Sequence, residues 1–419
     1  MSPLTLNGNK SRNMIGKSEK NKAKRIVVVG YGQRGQKYAG FAARNPDKFS
    51  VVAVVDTDEK KQAMAKKTFN CFVFSSLRDY LSSSVEADAA VVAVQDKDHV
   101  AATVECMNKG LDILLEKPIA CSMKECDMLA KEAKKAHSRV LVCHVLRYTP
   151  FYNAIKRVIS DGTLGEVMTV QTSENVGYWH QAHSFVRGPW KNSAEATPMI
   201  VAKCCHDMDI LRWLIDESPV RVASFGELSH FKRENAPAGS VEFCSKCAVS
   251  DCVYRAQKLY LRYKWCAEYF LGDKENTDEN ILKELEGSEY DRCVYRCEND
   301  VVDHQVTIIG FEGGVTAEHK MTAFSDKCYR TISVHGTKAE LYGTFEENEF
   351  EIRPFGKEPY VVNVGEPNGG HGGGDNGIME HFHSVISGGD EACLEASLDS
   401  HRMAFGAELS RLSGKIIKL

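Results

Sequence analysis

Residues 24–56 read KRIVVVGYGQRGQKYAGFAARNPDKFSVVAVVD, and this stretch decides the fold of the chain. It predicts a buried strand, a glycine-rich turn, a helix and a second strand. The turn has the G-x-G-x-x-G spacing and comprises Gly30, Tyr31, Gly32, Gln33, Arg34 and Gly35. In this motif the first glycine allows a tight turn, the second lets the backbone approach a pyrophosphate, and the third lets the helix pack closely on the strand. The helix start then points its free N–H groups at phosphates, so the stretch predicts a dinucleotide site.

Asp56 ends the second predicted strand, 56 − 35 = 21 positions after Gly35. An acidic residue there accepts hydrogen bonds from the ribose 2′-hydroxyl of NAD and repels the 2′-phosphate of NADP. The sequence therefore predicts NAD as the cofactor. Arg34, Lys60 and Lys61 add positive charge nearby and leave NADP use possible.

Alternating strand and helix patterns continue to residue 147 and predict a doubly wound parallel sheet, a Rossmann-type domain over 24–147. Residues 1–23 are polar and basic without an apolar core, which indicates a flexible tail rather than a signal peptide. Period-two stretches after residue 300 predict an α+β domain over 148–419 with a large open, mainly antiparallel sheet. A cysteine-rich segment at about 230–299 lacks clear periodicity and is interpreted as an insertion in this domain.

Composition excludes several classes of protein. The 53 basic and 57 acidic residues give a net charge of −4 without a concentrated basic face, so no nucleic-acid partner is expected. No apolar run is long enough to cross a bilayer, so no membrane partner is expected. Because nothing in the sequence indicates export, we expect a cytoplasmic protein whose fifteen cysteines are reduced or bound to metal.

Cys244, Cys247 and Cys252 lie within one short stretch of the insertion, and Cys297, or alternatively Cys293, lies further along. Four thiolates are a ligand set for tetrahedral zinc, which would stabilise a segment with little core of its own. The spacing is less diagnostic than paired C-x-x-C motifs. A structural zinc ion, free thiols and an iron–sulfur cluster therefore all remain open.

Glu116-Lys117-Pro118 follows the fifth predicted strand of the parallel sheet. Ligands of doubly wound sheets bind at that edge, so Lys117 should face the nicotinamide and the substrate. A lysine in a partly desolvated site can exchange a proton with a reacting hydroxyl.

With the glycine motif, Asp56 and EKP in order, the chain resembles the Gfo/Idh/MocA oxidoreductases from residue 24 onward. The resemblance implies NAD(P)-dependent oxidation or reduction of sugars, inositols and related polyols, with Lys117 as a catalytic residue. It also implies cofactor contacts from the loop that carries Gln95 and His99, and from Glu116. Members of the family associate as dimers or tetramers through the open sheet, which implies a homodimer or homotetramer.

A second catalytic group is expected from the apolar helix that begins near Lys203. His206 and Asp209 match the family's helix that carries Asp, His and Asp, whereas Ala202 replaces the first aspartate. His206 is a suitable base for a hydroxyl proton because its ordinary pKa lies near neutrality. Asp209, one turn later, would orient the imidazole or bind a substrate hydroxyl, and Lys203 is expected near the substrate.

Residues 178–190 read YWHQAHSFVRGPW, a composition typical of a carbohydrate pocket because aromatic faces stack on sugar rings and His or Arg binds hydroxyls. Tyr178, His183 and Arg187 are the predicted substrate contacts, although the stretch could equally form an interdomain or oligomer contact. His371, in a glycine-rich turn before a helix, is a further candidate for the same pocket.

Three functions are compatible with these residues. The leading hypothesis is an NAD-dependent dehydrogenase that acts on a secondary hydroxyl of a sugar, cyclitol or glycoside. The alternative is a redox-assisted glycoside hydrolase with tightly bound NAD, which oxidises, eliminates and reduces again. A non-catalytic sensor of nucleotide and sugar is the third, and the presence of Lys117 and His206 disfavours it.

Overall fold

The computed structural model of the chain describes residues 22–390, 392 and 394–419. The predicted flexible tail, except for residues 22 and 23, lies outside this part. The described residues form two sheets, each with its own apolar core.

The first sheet is parallel throughout and has the order β3-β2-β1-β4-β5-β6. This is the order of a doubly wound nucleotide-binding fold, as predicted. Its strands are β1 (Lys24–Val29), β2 (Phe49–Val55), β3 (Phe72–Phe74), β4 (Ala89–Val92), β5 (Asp112–Leu115) and β6 (Val140–Val142). Its helices are α1 (Gln33–Arg44), α2 (Glu59–Phe69), α3 (Leu77–Ser82), α4 (His99–Asn108) and α5 (Met123–Ala136). The order reverses between β1 and β4, so the glycine turn lies at the edge where such sheets bind ligands.

The second sheet has nine strands in the order β14-β13-β12-β11-β7-β10-β9-β8-β15. Only β7 and β10 pair in parallel, and the other pairs are antiparallel. This mixed, mostly antiparallel sheet confirms the predicted α+β fold. The strands are β7 (Val167–Asn175), β8 (Pro219–Glu227), β9 (His304–Phe311), β10 (Thr316–Thr322), β11 (Tyr329–Gly336), β12 (Ala339–Thr344), β13 (Glu349–Pro354), β14 (Tyr360–Asn363) and β15 (Ile417–Lys418).

One face of this sheet is covered by helices and the other is exposed. In β9, Gln305, Thr307 and Ile309 are buried, whereas Val306 and Ile308 between them are exposed. The helices that follow the first domain are α6 (Pro150–Ser160), α7 (Tyr178–His180), α8 (Met199–Ala202), α9 (Cys205–Ile215), α10 (Ala256–Arg262), α11 (Glu268–Leu271), α12 (Asp278–Leu285), α13 (Gly374–Ile386) and α14 (Leu394–Ser413). A π-helical stretch, Gln181–Arg187, continues α7.

The two C-terminal helices return to the first domain. Met379 and Phe382 of α13 share a core with Ile26 and Val28 of β1. The carbonyl oxygen of Val385, also in α13, accepts a hydrogen bond from Arg139, next to β6. These helices therefore complete the nucleotide-binding domain, although the predicted boundary at residue 147 would assign them to the second domain.

The cysteine-rich insertion is better packed than its sequence suggests. It contains α10, α11 and α12 and a core of its own, which includes Leu259, Tyr260, Ile281 and Leu285. The expectation of a segment with little core was wrong, because its aromatic residues pack on α7 and the π-helical stretch of the parent domain. Within the described ranges, no helix is both long and apolar enough to cross a membrane.

Candidate active site

The glycine turn has the shape that a dinucleotide requires. Gly30 has a positive φ of +90°, and a side chain there would collide with the backbone of Ala93. A side chain at Gly35 would collide with the carbonyl oxygen of Gly30, so α1 packs tightly against the turn. A Cβ at Gly32, by contrast, would meet no described atom within 4 Å. The turn is therefore closed on its protein side and open where a pyrophosphate would approach, so the residues present fit the cofactor.

Asp56 is fixed beside this turn. Its carboxylate accepts hydrogen bonds from the backbone N–H of Tyr31 at 2.7 Å and of Asp58 at 2.9 Å. The ring of Tyr31 is buried against Phe69, and its backbone N–H is already donated to Asp56. A cofactor contact of Tyr31 stays a prediction.

The side chain of Arg34 points into the protein and joins two buried carboxylates. Its Nε donates to Glu116 Oε1 at 2.5 Å, and its Nη2 donates to Asp375 Oδ1 at 2.9 Å. Tyr38 also donates to Glu116 Oε1, at 2.6 Å. Burial alone would raise the pKa of Glu116, but the charges of Arg34 and Lys117 hold that pKa below its ordinary value. Arg34 and Glu116 thus lock α1 to the EKP segment, which differs from their predicted role as cofactor contacts. Of the other predicted cofactor residues, Gln33 and Gln95 are exposed near the same sheet edge.

Lys117 lies directly after β5 and reaches the second domain. Its Nζ donates to the carbonyl oxygen of Ala202, the last residue of α8, at 3.1 Å. Nearby, His99 Nδ1 lies 2.6 Å from the carbonyl oxygen of Pro118. His99 Nε2 and Asp96 Oδ2 are both buried and have no hydrogen-bond partner in the part of the chain that the structure describes. These unpaired polar atoms beside Lys117 are consistent with a site built for a ligand.

His206 lies in the first turn of α9 between two other histidine rings. Its ring centroid is 6.0 Å from that of His144 and 6.3 Å from that of His371. Burial, followed by the charge of Lys117, lowers the pKa of His206 well below its ordinary value. The shift favours the neutral imidazole, and it also makes His206 a weaker base than its ordinary pKa would make it. Its Nδ1 makes no hydrogen bond to any described residue.

Asp209 is held behind His206 and does not face the open site. Arg147 donates two hydrogen bonds to its carboxylate, and His144 Nδ1 lies 3.0 Å from Oδ1. Burial opposes ionisation, but the charges of Arg147 and His144 hold the pKa of Asp209 below its ordinary value. Of the two predicted roles, orienting an imidazole is met at His144 instead of His206. Binding of a substrate hydroxyl by Asp209 stays a prediction.

His371 and Lys203 border the same region. His371 Nδ1 lies 3.1 Å from both oxygens of Asp375, and its side chain is 43% exposed. Arg34 and His371 also hold the pKa of Asp375 below its ordinary value against the effect of burial. Lys203 follows α8 and its Nζ lies 3.5 Å from Glu174. His371 thus lies near His206, with ring centroids 6.3 Å apart, and Lys203 follows Ala202, the partner of Lys117. Their contact with a substrate stays a prediction.

The predicted substrate contacts His183 and Arg187 lie elsewhere. His183 is buried among the insertion's aromatic rings, with its ring stacked on Tyr290 at 5.2 Å, and burial lowers its pKa to about 4. Arg187 is buried and donates to the carbonyl oxygens of Arg292 and Tyr254. Both residues anchor the insertion, so their substrate assignment was wrong. Tyr178 is partly exposed, and its ring lies 6.1 Å from that of Tyr254, at the same junction.

The structure gives no support to a zinc site at the insertion cysteines. Among the described residues, no group of three potential metal ligands with atoms within 4.8 Å of one another includes Cys244, Cys247, Cys252 or Cys297. Instead, Arg187 donates to Cys244 at 3.6 Å, and Cys297 donates to the carbonyl oxygen of Cys293 at 3.4 Å. The prediction of structural zinc at these cysteines is therefore not supported.

Sequence reasoning missed the roles of His144 and Arg147 in the site, and it did not identify Arg34 as the partner of Asp375. His144 follows β6 at the carboxyl edge of the parallel sheet, and that position was the available signal. The partner of Arg147 lies 62 residues away and that of Asp375 lies 341 residues away, so neither pair leaves a local pattern.

Comparison with known families agrees with this geometry. A model of an oxidoreductase family with an NAD-binding Rossmann fold matches residues 24–144. The model of that family's C-terminal alpha/beta domain matches residues 156–400. The chain belongs to the Gfo/Idh/MocA oxidoreductase family.

Among Gfo/Idh/MocA proteins, the putative oxidoreductase YteT of Bacillus subtilis strain 168 is 24% identical over 388 residues, which cover 85% of this chain and 88% of YteT. Inositol 2-dehydrogenase 1 of Saccharopolyspora erythraea is 28% identical over 200 residues, 47% of this chain and 56% of that enzyme. The 2,7-anhydro-N-acetylneuraminate hydratase of Escherichia coli K12 is 27% identical over 204 residues, 48% of this chain and 53% of the hydratase. The chain thus spans about half the length of the last two relatives.

The Gfo/Idh/MocA fold extends over the whole described chain. A levoglucosan dehydrogenase, solved in complex with NADH and levoglucosan, superposes with a TM-score of 0.71 at 15% identity. The match covers 94% of this chain and 99% of that enzyme. At this identity the likeness concerns the fold.

Proposed function

We propose that the chain is an NAD-dependent oxidoreductase that transfers a hydride between the nicotinamide and a secondary hydroxyl of a sugar, cyclitol or glycoside. One observation carries the proposal: Lys117 and His206, from different domains, border one site at the edge of the sheet that holds the glycine turn. The inositol 2-dehydrogenase among the relatives supports a polyol substrate.

The chain's residues divide the remaining work. When bound, the nicotinamide would supply the hydride acceptor or donor. As the carbinol carbon loses its hydride, the hydroxyl on that carbon must lose its proton, and neutral His206 can accept the proton while Lys117 donates a hydrogen bond to the same oxygen. Arg147, through Asp209 and His144, keeps the first turn of α9 in place. His371 is accessible enough to bind a further hydroxyl.

The test is a substrate panel with a matched pair of lysine variants. The purified chain is incubated with NAD and with sugars, inositols and glycosides, and NADH is followed by its absorbance. Lys117→Ala should lower kcat about 10²–10⁴-fold, the usual contribution of a proton-transfer group. Lys131→Ala removes an exposed lysine from α5 and should leave kcat unchanged. Turnover by Lys117→Ala at the unmodified rate would refute the assignment.

A second candidate is redox-assisted elimination, in which bound NAD is reduced and then reoxidised within one turnover. The 2,7-anhydro-N-acetylneuraminate hydratase among the relatives is the observation that favours it. Such an enzyme would copurify with its cofactor and convert its substrate without added NAD and without net NADH. A dehydrogenase would instead consume one NAD for each substrate converted.

Two further features belong to this proposal. The outer face of the nine-stranded sheet exposes Phe225, Ile308 and Val361, and we place a homodimer contact there, as a single copy would leave these side chains in water. Light scattering of the unmodified chain and of Ile308→Glu tests this, and the molar mass of the variant in solution should be that of a single chain.

All fourteen cysteines within the described residues are free thiols, which supports a reducing, cytoplasmic setting. Imaging of the tagged chain in cells tests the compartment.

A further inference from the structure

We propose that Cys204, Asp207 and His319 form a binding site for a divalent transition-metal ion, on the side of the α9 start that faces the second sheet. One ligand atom from each residue lies within 4.8 Å of the other two, and all three residues are buried. Cys204 and Asp207 stand three positions apart at the start of α9, and His319 is on β10. This site differs in every residue from the insertion cysteines, and it does not depend on the proposed redox function.

The orientation of His319 is typical of a metal ligand. Its Nδ1 lies 2.9 Å from Thr172 Oγ1, which fixes the ring. Metal-bound histidines usually donate their second ring N–H to such a neighbour, which leaves the other nitrogen as the ligand. That other nitrogen, Nε2, is buried and has no hydrogen-bond partner among the residues described.

Asp207 presents the matching half of the site. Its Oδ1 accepts a hydrogen bond from Arg330 Nε at 3.0 Å, whereas its Oδ2 is buried and unpaired within the described chain. A carboxylate oxygen and a neutral imidazole nitrogen are both acceptors, and leaving two such atoms buried without a shared donor costs free energy. A cation between them would satisfy both.

Cys204 is the third ligand and would bring a further negative charge to the site. Arg330 is shared between Asp207 and Glu174, and Lys203 also lies 3.5 Å from Glu174, so the two carboxylates already have cationic partners. Metal binding would replace the thiol proton of Cys204, which leaves to solvent, and the thiolate would offset one of the two positive charges of the ion.

The ligand set indicates the class of metal. One thiolate, one imidazole and one carboxylate suit a borderline ion such as Zn²⁺ or Co²⁺ rather than Ca²⁺ or Mg²⁺, which take oxygen ligands. Three protein ligands leave a fourth position for water. Because Cys204 and Asp207 flank His206, a bound ion would tie β10 to the helix turn that carries the proposed base.

The experiment uses the full chain, kept reduced, stripped with a chelator and titrated with CoCl₂ and, separately, with ZnCl₂. We expect the unmodified chain to bind Co²⁺ with a sulfur-to-cobalt charge-transfer absorption, and to take up one more Zn²⁺ than Cys204→Ser. Cys205→Ser is the matched control, since Cys205 is the adjacent, equally buried cysteine outside the trio. It should keep both signals.

The difference in bound metal between the unmodified chain and Cys204→Ser reports on this site alone, because any metal held by the insertion is present in both proteins. His319→Gln and Asp207→Asn should each lose the same ion, and far-ultraviolet circular dichroism shows whether they are folded. Zinc should also raise the Tm of the unmodified chain and not that of Cys204→Ser. If the unmodified chain binds no more cobalt or zinc than Cys204→Ser, the trio is only a buried polar cluster and the proposal fails. That comparison stands even if a histidine or aspartate variant does not fold.

Discussion

Asp209 and Arg147 form a bidentate ion pair, with Nε and Nη2 of the guanidinium each 2.5 Å from a carboxylate oxygen. The pair joins the segment that leaves the first domain to the helix that carries His206. Asp209 is fully buried, so its charge depends on its partners. The geometry of the proposed base is therefore set by a contact between the domains.

Removing one member of this pair should be costly. Arg147→Met leaves a buried carboxylate without its main partner, and we expect the free energy of unfolding to fall by about 3–5 kcal/mol. The double variant Arg147→Met with Asp209→Asn removes the charge as well and should recover part of that loss. Urea unfolding measures the free energy of unfolding of the unmodified chain, of Arg147→Met, of Asp209→Asn and of the double variant. A double variant that loses the sum of the two single losses would contradict the pairing.

Gly32→Ala should weaken cofactor binding without unfolding the protein. Gly32 has an ordinary φ of −73°, and a Cβ there enters the open side of the turn. Alanine at a helix start lowers the free energy of unfolding, and the loss of flexibility in the unfolded chain raises it. The two effects offset each other to within about 1 kcal/mol. NAD affinity, measured by calorimetry, should fall at least about tenfold, or about 1.4 kcal/mol. Gly40→Ala, further along α1 and away from the turn, is the control and should bind NAD normally.

Asp56→Ser should shift the cofactor preference. The carboxylate that would bind the ribose hydroxyls and repel a 2′-phosphate is lost, so the ratio of NAD to NADP affinity should fall, by about tenfold or more. Serine can still accept a hydrogen bond from the amide of Tyr31. Asp58→Ser keeps a cap on α2, removes a carboxylate two positions away and should leave the ratio unchanged. Equal affinities for NAD and NADP in the unmodified chain would refute the predicted preference.

Acid should destabilise the chain through its buried histidines. His401 accepts a hydrogen bond from the amide of Ile119, and burial lowers its pKa to about 3. The unfolded chain takes up a proton at this residue below about pH 6.5, whereas the folded chain does not. The free energy of unfolding is therefore highest, as far as His401 is concerned, above about pH 6.5. Between about pH 6.5 and 3 it falls by up to about 1.4 kcal/mol per pH unit.

Urea unfolding between pH 7.5 and 5 measures this slope. His401→Gln should make it shallower, while His137→Asn, at an exposed position after α5 with a positive φ, should not change it. An unchanged slope in His401→Gln would show that this histidine is not held neutral.

The sequence was informative where a function needs a fixed local spacing. The turn from Gly30 to Gly35, the carboxylate at Asp56 and the lysine at 117 each follow a strand, and the strand order brings them to one edge. It was less informative where the same composition serves two purposes. The aromatic residues around His183 suit a sugar, but they also suit a protein core, and only the position of Tyr290, 107 residues further along the chain (290 − 183), decides between them. The sequence also does not indicate that Cys204, Asp207 and His319 form a group, because β10 becomes a neighbour of α9 only in the folded chain.

The return of α13 and α14 to the first domain has a consequence for synthesis on the ribosome. β1 to β6 emerge more than two hundred residues before Phe382, whose ring stacks on Phe49 of β2 at 6.4 Å. Until α13 leaves the exit tunnel, the side of the nascent parallel sheet that α1 and α13 share is only partly covered and open to non-native contacts. Premature termination near residue 372 should therefore yield an aggregating product rather than a free nucleotide-binding domain, and a solubility assay of that truncation measures it.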